Sequence, residues 1–320
     1  MRVSPFFTSP VAVLALAGGA YASDDAPVSA ALSAAREGAW SSFVDARTLH
    51  EELRSGSIVL IDVRSASKYA QGHIPGAINI PAEAWRTPDT KPGEGVGSLI
   101  HRLPSGLPDV GYYERLLGAA GVERGHDVVV YGNFAGKADG TIPVVILRWL
   151  GAARVRFLDG VGAEEWVKTG QSLTPTPTVR PPAAFVAQPQ PGVVWTLTDV
   201  LGHLGESEVV FLDCRTEGEF QGTDLRGNKR AGRIPGAVWL DSQTLLDEYS
   251  KKTIPKDRVL ELLAERGVTP EKTVVIYCQT GTRCSLPFIQ LQDLGFNKVA
   301  LYDESWLEYG NRDDTPVEAP

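Results

Sequence analysis

The chain has 320 residues, 43% of them hydrophobic and 22% charged, with a net charge of −8. That length supports two ordinary domains with separate cores, and the composition excludes a chain disordered throughout. The acidic balance and the lack of a long Lys/Arg run argue against a nucleic-acid partner.

Residues 1–22 read as a signal peptide. Arg2 is the single charge, Val11 to Ala17 form a short apolar stretch, and Ala20-Tyr21-Ala22 offers a small-x-small cleavage site before Ser23. The apolar stretch is too short to span a bilayer comfortably. The expectation is export, to the periplasm in a bacterium, with no membrane attachment after cleavage; the alternative is an uncleaved anchor. Losing Arg2 takes the net charge from −8 to −9. Residues 23–39, rich in Ala and Ser, read as a loosely held extension.

The rest of the chain is a repeat. Ile58-Val59-Leu60-Ile61-Asp62-Val63-Arg64 matches Val209-Val210-Phe211-Leu212-Asp213-Cys214-Arg215, and His73-Ile74-Pro75-Gly76-Ala77 matches Arg233-Ile234-Pro235-Gly236-Ala237. Val128-Val129-Val130-Tyr131 matches Val274-Val275-Ile276-Tyr277, Pro143 matches Pro287, and Trp166 and Trp306 close the copies. The copies span 40–170 and 193–320. Between them, residues 171–192 carry six prolines, too many for helix or sheet interiors, and read as an extended linker.

Apolar β-branched runs near 58–62, 128–131 and 155–158 recur near 209–213, 274–277 and 298–302, alternating with amphipathic helical stretches. Such runs suit strands covered on both faces, so each copy should be a mainly parallel sheet with helices on both sides, an α/β fold. Sites in such sheets form beyond the carboxyl ends of the strands.

One strand in the second copy ends there at a cysteine. Thr273 to Tyr277 is followed by Cys278-Gln279-Thr280-Gly281-Thr282-Arg283, then by a helix-like stretch through Leu294. A strand, loop and helix in that order place the sulfur over backbone N–H groups, where an anion is favoured. Arg283 adds a permanent positive charge, and a thiolate is the nucleophilic form of cysteine. The segment reads as a nucleophile cradle. The first copy has Tyr131-Gly132-Asn133 here, without a nucleophile, and should be a silent wall of the cleft.

Three cysteines, Cys214, Cys278 and Cys284, are too few for a disulfide framework and lack the spacing of a structural zinc site. Cys214 reads as core within a strand. Cys284 invites pairing with Cys278 as a redox lock. Of the histidines, four lie in the first copy and His203 is expected to begin a helix, so none presents itself as a general base.

The Asp-x-Arg after each first strand, the Gly-x-Ile-Pro-Gly-Ala element, the Tyr277-Cys278 loop and Asp303-x-x-Ser305-Trp306-x-x-Tyr309-Gly310-Asn311-Arg312 stand in a fixed order. In that order, and duplicated, they make the chain resemble the rhodanese superfamily in its tandem two-domain form. The resemblance implies sulfane-sulfur transfer through a persulfide on Cys278, with no metal or organic cofactor. The donor would be a small sulfur anion and the acceptor cyanide or a thiol. A Cys-Gly-Ser-Gly-Val-Thr loop accompanies mercaptopyruvate in the family and a basic loop accompanies thiosulfate, which Gln279 and Arg283 fit better.

The substrate anion would meet Gln279, Thr280, Gly281, Thr282 and Arg283. A cation opposing the helix dipole at Arg283 suggests use rather than solvation. From Asp62 to Ile74 is 12 residues, but from Asp213 to Ile234 is 21, and this insertion holds Arg226, Lys229 and Arg230. The resemblance implies an arginine here on the substrate; Arg230 is the first choice, Arg226 the second, and Arg215 is ambiguous. Asp62 and Asp213 recur in both copies and read as structural.

Two rivals remain. A phosphatase or arsenate reductase would need Cys-x5-Arg, but only four residues separate Cys278 from Arg283, a ring that suits one sulfur. A persulfide carrier or docking module of low turnover is the other.

Overall fold

The computed structural model describes Met1 and residues 40–87, 98–134 and 140–319. The expected signal peptide lies outside the described residues. Among the described residues, strands β1 (Phe43–Val44), β2 (Ile58–Asp62), β3 (Ile78–Asn79), β4 (Asp127–Tyr131) and β5 (Arg154–Leu158) form one sheet in the order β1-β5-β4-β2-β3. Strands β6 (Val194–Trp195), β7 (Val209–Asp213), β8 (Val238–Trp239), β9 (Thr273–Tyr277) and β10 (Val299–Tyr302) repeat that order in a second sheet. Every pairing between these ten strands is parallel. The register also repeats: Asp62 sits opposite Tyr131 and Asp213 opposite Tyr277. Val274, Val275, Ile276 and Tyr277 have no exposed surface, as a central strand covered on both faces requires.

The copies meet through the helices that follow β4 and β9. Helix Thr141–Trp149 and helix Ser285–Asp293 are largely buried, and each carries its proline in the first turn, where the missing N–H has no intrahelical acceptor. Thr141 Oγ1 and Ser285 Oγ share a hydrogen bond of 2.7 Å, and Arg148 Nη1 donates to Gln292 Oε1 at 2.8 Å. The two helices are thereby joined near both of their ends.

The proline-rich segment contains no helix and runs along the first domain. Ala183, Gln188 and Gln190 donate backbone N–H groups to Gly118, Leu150 and Trp149, and Phe185 is buried. His203 corrects the expectation for it: it ends helix Leu197–Gly202 rather than beginning one. Thr196 and Asp199 form a reciprocal capping box that fixes the start a full turn earlier. Among the described residues, no helix is long and apolar enough to cross a membrane.

Candidate active site

Cys278 follows β9 directly, and backbone contacts pin its loop. The Cys278 N–H donates to Ser305 Oγ at 3.1 Å, while its carbonyl accepts from Trp306 N at 3.0 Å. Gln279 O accepts from Leu307 N at 2.9 Å. Ser305 holds a left-handed φ of 57°, uncommon for a residue with a Cβ, and its hydroxyl donates to Tyr302 O at 2.8 Å. Gly281 has φ 77°, and a Cβ there would lie 2.3 Å from Asp303 O. Only glycine lets the loop turn back over the sulfur at so close an approach.

The sulfur is buried and ionised together. Burial pushes the Cys278 thiol up, but donation from Cys284, the Arg283 charge and the amides of Thr280 and Arg283 outweigh it, holding the pKa at about 6. Cys284 is pushed the other way, first by burial and then by the neighbouring Cys278, so it stays protonated and able to donate. Both thiols are free, as is Cys214.

Arg283 is held by a residue far away in sequence. Its Nη1 and Nη2 donate to Glu219 Oε2 and Oε1 at 2.7 and 2.8 Å. Glu219 is 1% exposed. Burial opposes its charge, yet the Arg283 bonds and charge, with donors from Thr216, hold it down to about 2.

The predicted residues part company here. Thr280 and Arg283 act on the Cys278 sulfur through their backbone amides and the Arg283 charge, while Gly281 packs against Asp303 O and Thr282 opens the short 3-10 turn Thr282–Cys284. The Gln279 side chain instead exchanges two hydrogen bonds with Asn228, of 3.0 and 3.1 Å, and so clamps the insertion onto the loop. Arg230 donates to Thr315 O at 2.7 Å and Tyr309 O at 2.8 Å, tying the insertion to the C-terminal tail. Arg215 is 1% exposed, chelated by Asp213, bonded to Gly232 O at 2.8 Å and stacked 4.4 Å over Trp306. The structure thus gives Arg215 and Arg230 internal partners where substrate contact was expected. Arg226 stands exposed on the insertion, at φ 49°.

Glu219 and Asn228 are the residues that sequence reasoning missed, and Ser305 was read only as part of the closing motif, not as a partner of the Cys278 backbone. The Thr216-x-x-Glu219 spacing of a capping box was the available signal for the first. The first copy also reaches the site: Ser98 Oγ and Arg102 Nη2 both donate to the Asp303 carboxylate, whose backbone carbonyl faces Gly281. In the first copy itself, Val63, Arg64, Lys68, Arg86, Asn133 and Ile142 help line a cavity of about 430 Å³ where the second copy has its cysteine loop.

A duplicated parallel α/β chain with a thiolate cradled by amides at one strand end is a cysteine-loop group-transfer enzyme in form. The rhodanese-like domain model matches residues 45–169 and again 196–312, and the chain belongs to that family. It is 30% identical over 280 residues to a thiosulfate sulfurtransferase of Pseudomonas aeruginosa, covering 86% of this chain and 96% of that one. It is also 30% identical over 290 residues to a 3-mercaptopyruvate sulfurtransferase of Escherichia coli, covering 86% and 97%. The structure of an anaerobic ergothioneine biosynthesis enzyme from Chlorobium limicola superposes with a TM-score of 0.74 at 22% identity, covering 87% of this chain and 70% of that one, a likeness of fold. The chain is a sulfurtransferase of the rhodanese type.

Proposed function

We propose that the enzyme takes sulfur from thiosulfate and hands it to cyanide or a thiol, through a persulfide on Cys278. The observation that carries this is the thiolate held at about 6 with Arg283 fixed beside it. The thiolate attacks the outer sulfur of thiosulfate, an S–S bond forms, and sulfite leaves with the electron pair of the broken bond. The amides and the Cys284 thiol that favoured the thiolate then favour the persulfide anion. An acceptor nucleophile takes the outer sulfur, and the thiolate returns.

Thiosulfate is preferred over mercaptopyruvate because of protons. Sulfite leaves as a stable anion, whereas pyruvate leaves as an enolate that must be protonated. The histidines are engaged elsewhere: His50 against Trp166, His73 against Tyr69, His101 against Tyr112, His126 accepting from Glu123 N, His203 on Asp199 O. No histidine is therefore placed to protonate a leaving enolate, and the Cys284 thiol already donates to the Cys278 sulfur. Thiocyanate formation from the two donors, compared as kcat/KM, should favour thiosulfate by about tenfold or more; a higher value with 3-mercaptopyruvate would overturn this donor assignment. We further propose that the mature protein works after export, so N-terminal sequencing of the periplasmic fraction should begin at Ser23 rather than Met1.

A further inference from the structure

All three cysteines of the chain belong to one neighbourhood, though the cycle above uses Cys214 for nothing. β7 and β9 pair in register as far as Asp213 opposite Tyr277, and the Cys214 N–H continues the ladder to Tyr277 O at 2.9 Å. Cys214 and Cys278 are the next pair along. Adjacent strands lie roughly 4.8 Å apart, inside the range of roughly 4.4–6.8 Å between the Cα atoms of a disulfide. Cys214 Sγ lies 4.0 Å from Leu212 O, within reach of its own strand, and the first copy supplies the matching side-chain spacing. It has Val63 and Gly132 at these two places, and a Cβ built on Gly132 would lie 2.8 Å from Val63 Cγ2. That is close to the ~3 Å between one sulfur and the partner's Cβ across an S–S bond. The second copy puts a thiol on both positions, each with no exposed surface.

We propose that Cys214 is a resolving thiol, which attacks the inner sulfur of a Cys278 persulfide left without an acceptor, forming a Cys214–Cys278 disulfide and expelling hydrosulfide. This rests on the persulfide reading above. The Cys214 proton leaves on the hydrosulfide. The Cys214 sulfur loses one electron, the outer sulfur gains it on leaving as hydrosulfide, and the Cys278 sulfur stays at the disulfide level, so no outside oxidant is needed. Two thiols of the acceptor class then reduce the disulfide, become a disulfide themselves, and restore the thiolate. The added activity is reduction of thiosulfate to sulfite and hydrosulfide at the expense of thiols. Cys284 is the poorer candidate, since it donates to the Cys278 sulfur from within the same loop and serves to hold it charged. Burial, the charge of Asp213 and that of Cys278 itself keep Cys214 protonated, which makes closure slower than delivery to an acceptor that is present.

The test loads the full-length protein with thiosulfate, removes the donor, and follows sulfite, sulfide and intact mass without an acceptor. Wild type should pass from a species about 32 Da heavy to one about 2 Da light, releasing hydrosulfide as it does so. Cys214→Val, which installs the first copy's residue, should stay heavy and release less than about a tenth of the sulfide. Cys284→Ala loads more slowly, but the fraction that carries the added sulfur should still close onto Cys214. A wild-type persulfide that persists, or a disulfide mapped by peptide mass to Cys278 and Cys284, overturns the proposal. Absence of sulfite would instead mean the thiosulfate reading has failed; loading with inorganic polysulfide then supplies the persulfide, and the same sulfide and mass readouts decide the role of Cys214.

Discussion

Cys278→Ser should lower kcat/KM for thiocyanate formation by on the order of 10³-fold or more while leaving the melting temperature nearly unchanged. The substitution keeps the shape and the backbone bonds of Cys278 to Ser305 and Trp306. It removes only a group able to ionise near neutral pH and to carry a second sulfur. The same thiolate sets a pH profile. With the pKa at about 6 instead of the ordinary 9.0, the nucleophile is present above about pH 6 and is lost as pH falls through it. Alkylation of wild type by iodoacetamide should therefore rise with a midpoint near 6 and be flat at neutral pH. Cys284→Ala removes one of the donors and should move that midpoint upward. A midpoint near 9 in wild type would show that burial, not the cradle, governs this sulfur, and the assigned chemistry would go with it.

Sequence made the architecture legible because the central strands are long enough to carry a pattern. β2, β4, β5, β7, β9 and β10 fall where the apolar runs lie, to within one residue. The edge strands β1, β3, β6 and β8 have two residues each, too few to show any period, and went unseen. The cysteine loop was legible for the same local reason: strand end, glycine and helix start are neighbours in sequence. What holds that loop is not local. Glu219 is 64 positions from Arg283 and Asn228 is 51 from Gln279. The arginine beside the loop could be read as charge in use, but not as charge already half-spent on a buried carboxylate. Arg215 and Arg230 show the converse. Their type and order fit anion contact, yet Asp213 chelates Arg215, and Thr315 and Tyr309 accept from Arg230, whose Nε keeps no hydrogen-bond partner among the described residues. Cys214, read as core, is core indeed, with no exposed surface. Its meaning comes from the register of β7 on β9, which pairing alone discloses.

Glu219→Gln should cost up to about 3 kcal/mol of folding stability at neutral pH and reduce turnover about tenfold or more. The carboxylate serves two neighbours: it chelates Arg283, and it accepts from Thr216 N at 3.0 Å to cap the helix Glu217–Phe220. Glutamine keeps much of the cap but leaves a largely buried guanidinium without its counter-charge, which is the expensive half of breaking a buried pair. Arg283 then has no fixed seat beside Cys278, and the electrostatic part of the cradle loosens. The sign with pH follows from the folded-state value of about 2 against an ordinary 4.5. The contribution of Glu219 is fully present above about pH 4.5 and drains away as pH falls through about 2. Urea unfolding across pH 2–6 should therefore show wild type and variant apart at pH 6 and converging toward pH 2. Glu219→Gln combined with Arg283→Gln removes both charges, so the pair should be more stable than Glu219→Gln alone while remaining impaired in turnover. Equal stability of wild type and the single variant at pH 6 would mean the ion pair contributes no net stability, and Arg283 would have to be positioned by the loop backbone itself.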